Sequence, residues 1–414
     1  MLLLHNPIQP YDWGPIDGIS HLVGSEPTGD HEAELWVGTH PRGPSVVAAG
    51  EHEGRTLAEV VAEDPQRWLG KELADSGATA LPFLLKVLAI GQPLSLQAHP
   101  SAAQAEAGFA REEAAGIPVD APHRNYRDPS PKPEALVALD TTWALCGFRA
   151  PAEAAKLLAL LDVEALAPLV EALEERGEDG LRTVLQALLQ MEGDERSALA
   201  DAVAGAVEDV PGQDRSDPLA WVRRLVEAFP GDPTAIAPLL LNVVEIDPGD
   251  AIHLPAGNLH AYLFGSGIEI MAASDNVLRG GLTPKHVDVD ELLSILDVGF
   301  SRTPKPDSTD RADGICTYDA GEPAFALAVV NQAASWVGYP SSAIEVPADG
   351  TVIDPTAPSL LLAVGGDVDL VGPDGVTVTV GRGRAAFAAP GEGPITVHGS
   401  GSLWWATTGS GLPG

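Results

Sequence analysis

The chain has 414 residues, and its composition and charge already exclude several classes of protein. Its 59 Asp and Glu residues outnumber its 24 Lys and Arg residues, which gives a formal net charge of −35 at pH 7. Nucleic acids and anionic lipid surfaces are bound through Lys and Arg, so we expect this acidic chain to bind neither. A hydrophobic fraction of 45% supplies enough apolar side chains for packed cores, which excludes wholesale disorder.

Membrane-spanning and disulfide-based architectures are also excluded by the sequence pattern. No apolar run approaches the roughly 18 residues that cross a bilayer. The N-terminal Met1-Leu-Leu-Leu-His5 lacks the features of a signal peptide. Two distant cysteines, Cys146 and Cys316, do not form a disulfide framework. We therefore expect a cytoplasmic globular protein of two or three domains.

Along the chain, β-like segments surround a helical segment. Residues 1–150 contain short β-type runs between Gly and Pro turns, for example Leu81–Ile90. In residues 151–240, apolar side chains recur at helical spacing, as at Leu166, Leu169, Val170 and Leu173 and again at Leu181, Val184, Leu185 and Leu188. The β pattern returns in residues 241–301 and 315–414, and the polar residues 302–314 are predicted to be a linker.

These segments predict a mainly β protein with a helical insertion. Residues 1–150 and 241–301 would form one β-domain, residues 151–240 a helical domain inserted into it, and residues 315–414 a second β-domain.

The segment Ser95-Leu-Gln97-Ala-His99-Pro100 follows a strongly apolar predicted strand. Side chains alternate between the two faces of a strand, so Ser95, Gln97 and His99 point the same way. Such a face can contribute two ligands to a metal ion. Taken alone, the segment fits hydrogen-bonded polar groups at a strand end better.

A second candidate is Gly249-Asp-Ala-Ile-His-Leu-Pro255-Ala-Gly257-Asn-Leu-His260. Its spacing resembles the second half-motif of the cupin jelly rolls, in which the closing His is a metal ligand. The Pro-Ala-Gly turn reverses the chain so that His260 can begin an inward-facing strand. A buried, hydrogen-bonded His is the alternative, but the strict spacing favours a metal ligand.

Charged side chains follow in two further segments. Pro residues on both sides of Lys132 favour an extended backbone, which places Lys132 and Glu134 on one face. Glu269 alternates with apolar residues on a predicted strand, and Arg279 precedes Gly-Gly. Arg279 and Lys285 would suit a phosphate group, because guanidinium and ammonium groups both bind phosphate oxygens. Each could instead be a solvated surface charge.

Together these segments resemble the type I mannose-6-phosphate isomerases, the zinc-dependent phosphomannose isomerases. The matching motifs occur in the family's order over most of residues 6–300. They are Tyr11-Asp-Trp13-Gly14, Glu34-Leu-Trp36-Val-Gly38-Thr-His40-Pro41, Phe83-Leu-Leu-Lys86, Leu94-Ser-Leu-Gln97-Ala-His99-Pro100, Lys132-Pro-Glu134, Pro255-Ala-Gly-Asn-Leu-His260-Ala-Tyr262 and Ser274-Asp-Asn-Val-Leu-Arg279-Gly-Gly-Leu-Thr-Pro-Lys285-His286.

The resemblance implies a fold and an activity. The fold would be a central metal-binding cupin with an inserted helical domain and a C-terminal jelly roll without metal ligands. The activity would be the interconversion of mannose 6-phosphate and fructose 6-phosphate through a cis-enediol, which supplies mannose metabolism and GDP-mannose precursors. One zinc ion would bind per chain, and we expect a monomer whose partner is a small sugar phosphate.

The resemblance also implies roles for individual residues. The zinc ligands would be Gln97, His99, Glu134 and His260, and Arg279 would be catalytic. Glu269 and Lys132 are candidates for the general base, beside a zinc-bound hydroxide. The substrate cleft would be lined by further residues, namely Trp13, Lys86, Ser95, Tyr262, Asp275 and Lys285.

One position departs from the family pattern, because Pro131 stands where the family usually has a His before Lys-Pro-Glu. Some proposals give that His a part in ring opening or proton transfer, which Pro131 cannot perform. Either another group, such as His286 or zinc-bound water, takes this part, or activity is reduced.

Two alternatives of other kinds remain open. An iron dioxygenase of the cupin type would use two His and one carboxylate, which this chain also has. A sugar-binding or storage protein of two jelly rolls would have no turnover, but it gives no reason for Gln97, His99, Glu134, Lys132 and Arg279 to occur together. A fused nucleotidyltransferase is excluded, since the sequence has no Gly-rich phosphate loop.

Overall fold

The computed structural model describes residues 1–211, 214–299, 305–310, 314–330 and 349–412. Within this described part, no helix is both long and apolar enough to cross a membrane. Cys146 and Cys316 are buried and are not joined in a disulfide.

The first 150 residues form mostly strands joined by short helices. In chain order these are β1 (Leu2–His5), β2 (Ile8–Gln9), α1 (Gly18–Val23), β3 (Glu34–Val37), β4 (Val46–Val47), α2 (Leu57–Glu63), α3 (Pro65–Leu69), α4 (Lys71–Asp75), β5 (Phe83–Ile90), β6 (Gln97–Ala98), α5 (Ala102–Ala114), β7 (Glu134–Ala138) and β8 (Thr142–Phe148).

The next segment is helical, as the spacing of its apolar residues predicts. Both stripes of leucine and valine are confirmed, because their residues lie in or beside helices and, except for the half-buried Val170, are buried. The α-helices of this segment are α6 (Pro151–Ala159), α7 (Ala167–Arg176), α8 (Glu178–Gln190), α9 (Gly193–Ala206), α10 (Pro218–Ala228) and α11 (Ala237–Leu240). Two short 3-10 helices, Glu164–Leu166 and Pro233–Ile236, come directly before α7 and α11.

The remaining described residues return to β structure. They form β9 (Leu241–Ile246), β10 (Ala251–Leu254), β11 (His260–Ala272), β12 (Leu278–Arg279), α12 (Val289–Ile295), β13 (Asp307–Asp310), β14 (Ile315–Asp319), β15 (Ala326–Val330), β16 (Thr351–Ile353), β17 (Ser359–Val364), β18 (Val368–Val371), β19 (Thr377–Val380), β20 (Ala385–Ala388), β21 (Ile395–Gly399) and β22 (Ser402–Thr407).

Part of the predicted linker is a strand rather than a connection. Residues 307–310 form β13, which pairs antiparallel with β14, while residues 302–304 and 311–313 lie outside the described part of the chain. The prediction of a linker was therefore wrong over 307–310. Its polar composition is compatible with β13 because this strand lies at the edge of its sheet.

The strands form three sheets. A ten-stranded sheet has the central order β10-β7-β11-β5-β3-β2 and is extended by β6, β8, β9 and β12. An eight-stranded sheet has the order β13-β14-β15-β22-β17-β20-β1-β4, and a four-stranded sheet has the order β16-β21-β18-β19. The mainly β class with a helical insertion is thus confirmed, whereas the proposed domain boundaries stay a prediction.

The long strand β11 joins the two halves of the ten-stranded sheet. Its first residues pair with β6 and β8, and residues 265–272 pair with β5. Between the two halves, Gly265 has a φ of 114°, and a Cβ at this position would lie 2.5 Å from the Thr142 hydroxyl. A glycine is therefore required where the strand changes its partners.

The eight-stranded sheet includes the N-terminal strand, since β1 pairs with β20 and β4. Leu4 is fully buried in the apolar core between this sheet and the outer face of the ten-stranded sheet. Phe387 and Leu85 belong to the same core, so the first strand contributes to packing between sheets formed by distant parts of the chain.

Replacing Leu4 with Ala should therefore lower the free energy of unfolding by about 2–5 kcal/mol, because a buried leucine is lost from a packed core. Urea unfolding followed by circular dichroism measures this change. The control is Val352→Ala on β16, where the side chain is 55% exposed. Equal unfolding midpoints for the two variants would contradict the inferred role of β1.

Candidate metal centre and substrate cleft

Alternation along four strands places polar side chains on the inner face of the ten-stranded sheet. Their sequence neighbours Leu35, Val87, Ala135 and Ile268 belong to the apolar core on the outer face. Successive strand side chains point to opposite faces, so the residues between these apolar positions share the inner face. These inner residues are Glu34 and Trp36 on β3, Lys86 on β5, Glu134 on β7 and Glu269 on β11.

Three of the predicted ligands converge at one end of this inner face. His99 Nε2 lies 3.3 Å from Glu134 Oε1, and His260 Nε2 lies 3.5 Å from Glu134 Oε2. One ligand atom from each of the three residues lies within 4.8 Å of the others. Both Nε2 atoms and Glu134 Oε2 are buried and have no hydrogen-bond partner among the described residues. These orphaned atoms fit a bound cation, which would satisfy all three.

The two imidazoles are oriented for ligation. His99 Nδ1 donates to the Asn276 carbonyl at 2.8 Å, and His260 Nδ1 donates to the Asn258 carbonyl at 3.0 Å. A carbonyl can only accept, so each Nδ1 carries a proton, which leaves Nε2 as the ring atom that could bind a metal ion. Burial lowers the pKa of His99 to about 4, so its ring is neutral at pH 7.

Glu134 remains ionised despite its burial. Desolvation alone would raise the pKa of this carboxyl, but Lys132 and His99 hold it well below its usual range. Lys132 Nζ lies 3.0 Å from Glu134 Oε1. Two imidazoles and one carboxylate are a donor set that zinc accepts.

Gln97 is the fourth predicted ligand, and its strand lies between two other site strands. On one side Gln97 pairs with His260 of β11, and on the other side with Arg279 of β12. The backbone therefore places an amide side chain beside the three convergent ligands. Its part in metal binding stays a prediction.

A buried ion-pair network lies further along the inner face. Lys86 Nζ is 3.1 Å from Glu269 Oε2 and 3.3 Å from Glu34 Oε2. Burial would lower the pKa of Lys86, but these two carboxylates more than offset it, so the ammonium group stays charged. Burial raises the pKa of Glu269, and Glu134 adds to this, although Lys86 opposes it. Burial and the carboxylates of Glu269 and Glu134 also raise the pKa of Tyr262 well above its usual value.

Arg279 and Lys285 carry positive charge at the edge of the site. Burial lowers the pKa of Arg279, and the positive charge of Arg127 lowers it further. The pKa of Lys285 is lowered by burial, then by Arg279 and Arg127. The two predicted phosphate contacts thus lie close to each other and to a third cation that the sequence reading did not include.

The remaining predicted cleft residues occupy different surroundings. Trp13 is half-buried against the inner core and stacks on Tyr11 with 6.0 Å between ring centroids. Ser95 is half-buried two residues before Gln97. Asp275 forms an ion pair with Arg42 and lies 3.5 Å from His40 Nε2. The Asp275 carboxylate thus already contacts the side chains of Arg42 and His40.

Asn276 is a site residue that the sequence reading missed. It is fully buried, its Oδ1 accepts from the Arg127 amide at 2.7 Å, and its Nδ2 donates to the carbonyls of Asp128 and Ser130. The backbone carbonyl of Asn276 accepts the hydrogen bond from His99 Nδ1. The only signal in the sequence was its place inside the Ser274-to-His286 motif, which does not reveal these contacts.

A cavity of about 620 Å³ opens beside the segment that carries Lys132. Pro131, the residue that departs from the family pattern, lines it together with His40, Arg127 and Asp275. His40 Nδ1 accepts from the Arg42 amide at 3.3 Å, and its Nε2 lies 3.5 Å from Asp275. Both nitrogens of this imidazole are therefore engaged, which argues against His40 as a replacement acid or base.

Replacing Asn276 with Ala should weaken zinc binding by roughly tenfold to a hundredfold, because the carbonyl that orients His99 loses its support. Competition with a chromophoric chelator measures the affinity. Asn125→Ala is the matched control, since this half-buried amide donates to Asp288 and does not contact His99. Equal affinities in the two variants would contradict a supporting role for Asn276.

Similar known proteins agree with the metal site that the geometry indicates. Residues 1–151 match the family model described as phosphomannose isomerase type I, catalytic domain. A mannose-6-phosphate isomerase of Escherichia coli is 36% identical over 409 residues, covering 97% of this chain and 98% of the relative. A mannose-6-phosphate isomerase of Bos taurus is 31% identical and covers 93% and 92% of the two chains.

Solved structures give the same result. A zinc-bound mannose 6-phosphate isomerase superposes with a TM-score of 0.86 at 31% identity, covering 98% of this chain and 99% of that one. A mutant phosphomannose isomerase from Salmonella typhimurium gives a TM-score of 0.88 at 31% identity, covering 99% of both chains. At this identity and near-complete coverage, the chain belongs to the family of mannose-6-phosphate isomerases.

Proposed function

We propose that the protein is a zinc-dependent isomerase that interconverts mannose 6-phosphate and fructose 6-phosphate. The observation that carries this proposal is the buried convergence of His99, Glu134 and His260 beside the Lys86–Glu269 ion pair. This convergence places a cation site and the Glu269 carboxylate together in one buried cleft. The family membership, with zinc bound in a solved relative, supports the same reaction.

The proposed zinc ligands are His99, Glu134, His260 and Gln97. Zinc at this position would polarise the substrate carbonyl as a Lewis acid. Gln97 is neutral, so the ligand set has one negative charge, from Glu134, and leaves the ion strongly electrophilic. Lys132 holds Glu134 ionised through its contact at 3.0 Å.

Substrate binding is assigned to the charged and aromatic side chains around the cation site. Arg279 and Lys285 would bind the phosphate group, since both charges lie close together at the edge of the cleft. Tyr262 keeps its phenol neutral and can donate a hydrogen bond to a sugar hydroxyl. The other proposed cleft residues are Trp13, Lys86, Ser95 and Asp275.

Proton transfer between C1 and C2 requires a base within the cleft. Glu269 is our first candidate, because burial raises the pKa of its carboxyl and so makes the carboxylate a stronger base. It would remove the proton next to the carbonyl and return it to the neighbouring carbon of the cis-enediol. The ammonium group of Lys86, 3.1 Å away, orients Glu269, and Arg279 would stabilise the negative charge that develops.

Lys132 is the second candidate for proton transfer, since its ammonium group lies beside Glu134. Pro131 cannot take part in acid–base chemistry. We therefore propose that another group supports ring opening in this chain, and His286, one residue after Lys285, is the candidate.

Several wider properties belong to the same proposal. We infer one catalytic β-domain from residues 1–150 and 241–301, interrupted by the helical domain 151–240, with a C-terminal domain over 315–414. We further propose a cytoplasmic monomer whose partner is a sugar phosphate and neither nucleic acid nor membrane. The thiols of Cys146 and Cys316, which are not joined in a disulfide, and the net charge of −35 support these inferences.

Metal dependence provides the first test. The purified protein should contain about one zinc per chain and convert mannose 6-phosphate in a coupled assay, and chelation should abolish turnover. His260→Ala should lose both metal and activity, because one of three convergent ligands is removed. His21→Ala, at an exposed position, is the control.

An active His260→Ala protein without metal would refute the site. Metal analysis together with an oxygen-uptake assay tests the alternative of an iron dioxygenase. Iron in the protein and substrate-dependent oxygen uptake would favour that alternative.

The role of Glu269 is tested separately. Glu269→Gln should lower kcat by roughly 10²–10⁴-fold while zinc content is unchanged, because the amide cannot accept a proton. Exchange of solvent deuterium into the substrate should fall in parallel. Lys132→Met provides the comparison, and a larger loss of exchange in that variant at unchanged zinc content would transfer the role of base to Lys132.

A further inference from the structure

Three cations at the edge of the cleft form no ion pair with a described carboxylate, although the charge of Asp12 acts on Lys285. Within the described part of the chain, Arg127, Arg279 and Lys285 form no ion pair, and we call them the cationic cluster. The chain carries 59 acidic residues, and many other arginines do pair with carboxylates. Examples are Arg42, Arg55, Arg111, Arg124, Arg149, Arg196 and Arg223.

The cluster lies at a defined distance from the cation site. Arg279 pairs with Gln97, and Gln97 pairs with His260, so Arg279 and His260 are two strands apart. Neighbouring strands are about 4.8 Å apart, which separates the two backbones by roughly 10 Å. A phosphorylated six-carbon sugar can bridge such a gap, with its carbonyl end near the cation site and its phosphate at the cluster.

The backbone of Arg127 is fixed beside the segment that leads to Arg279. The Arg127 amide donates to Asn276 Oδ1 at 2.7 Å, and the Asp275 amide donates to Asp128 Oδ2 at 2.9 Å. The half-buried side chain of Arg127 lines the cavity of about 620 Å³ together with Asp275. The main chain is thus held firmly, and the Arg127 side chain, which forms no ion pair in the described structure, lies at a cavity that Asp120, Asp128 and Asp275 also line.

We propose that Arg127 is a third contact to the phosphate group of the substrate and so helps to select phosphorylated sugars. This inference rests on the proposed function. A phosphate dianion offers several oxygens, and a planar guanidinium group can bind two of them at once. Three positive charges from two loops and one short strand would compensate the dianion in an otherwise acidic protein.

The test compares Arg127→Gln, Arg127→Lys and wild-type holoenzyme. In the Gln variant, the KM for mannose 6-phosphate and the inhibition constant of inorganic phosphate should both rise by roughly tenfold to a hundredfold. The kcat should stay within a few-fold of wild type and zinc content should not change, since the phosphate is remote from the reacting carbons. The Lys variant should be intermediate.

Arg55→Gln is the charge-matched control, because this arginine forms a surface pair with Glu63 and should leave all these constants unchanged. An Arg127→Gln variant with wild-type KM and wild-type phosphate inhibition would overturn the proposal. So would loss of zinc or of kcat without a change in phosphate inhibition, which would assign Arg127 a structural role. If the Gln variant does not fold, the Lys variant decides by the same constants.

Failure of the proposed function would look different. In that case wild-type protein would not convert mannose 6-phosphate at all. Calorimetric titration with inorganic phosphate would still report whether Arg127→Gln weakens anion binding at the cluster.

Discussion

The burial of the Glu134 carboxylate is the constraint on which the rest of the site depends. Its side chain is almost completely removed from water, which costs several kcal/mol for an ionised group unless charges nearby compensate it. Lys132 supplies one positive charge at 3.0 Å, and two imidazoles direct lone pairs at the same region. A positive ion at the point where these three ligand groups converge would stabilise them together.

The same argument extends to the whole inner face. Three buried carboxylates, Glu34, Glu134 and Glu269, face two ammonium groups, Lys86 and Lys132, which leaves one net negative charge. With a divalent zinc ion in the proposed site, the balance becomes one net positive charge. A reaction that develops one negative charge on the sugar would then proceed in surroundings that compensate it.

Much of this arrangement could be predicted from local sequence rules. The Pro-x-Gly turn marked the start of β11 at His260, and leucine spacing marked the helical insertion. The grouping of Gln97 with His99 on one strand face stays a prediction, because β6 covers only Gln97–Ala98. These features depend on near neighbours in the chain. The resemblance of the motifs to the type I family was likewise confirmed by relatives that cover nearly the full length.

Other features depend on residues that are far apart in sequence, and local rules could not reveal them. The contacts of Asn276 with Asp128 and Ser130 span about 150 positions, and Arg42 meets Asp275 across 233 positions. The pairing of β1 with β20 was equally hidden, because the pattern of Leu2–His5 does not identify its partner.

That pairing has a consequence for the order of events during synthesis. The ribosome releases β1 first, yet its partner β20 emerges some 380 residues later. The helical insertion has mostly local contacts and can fold while translation continues, whereas β1 must wait beside an unfinished sheet. The apolar side chains of β1 therefore stay without their sheet partner for most of the translation time.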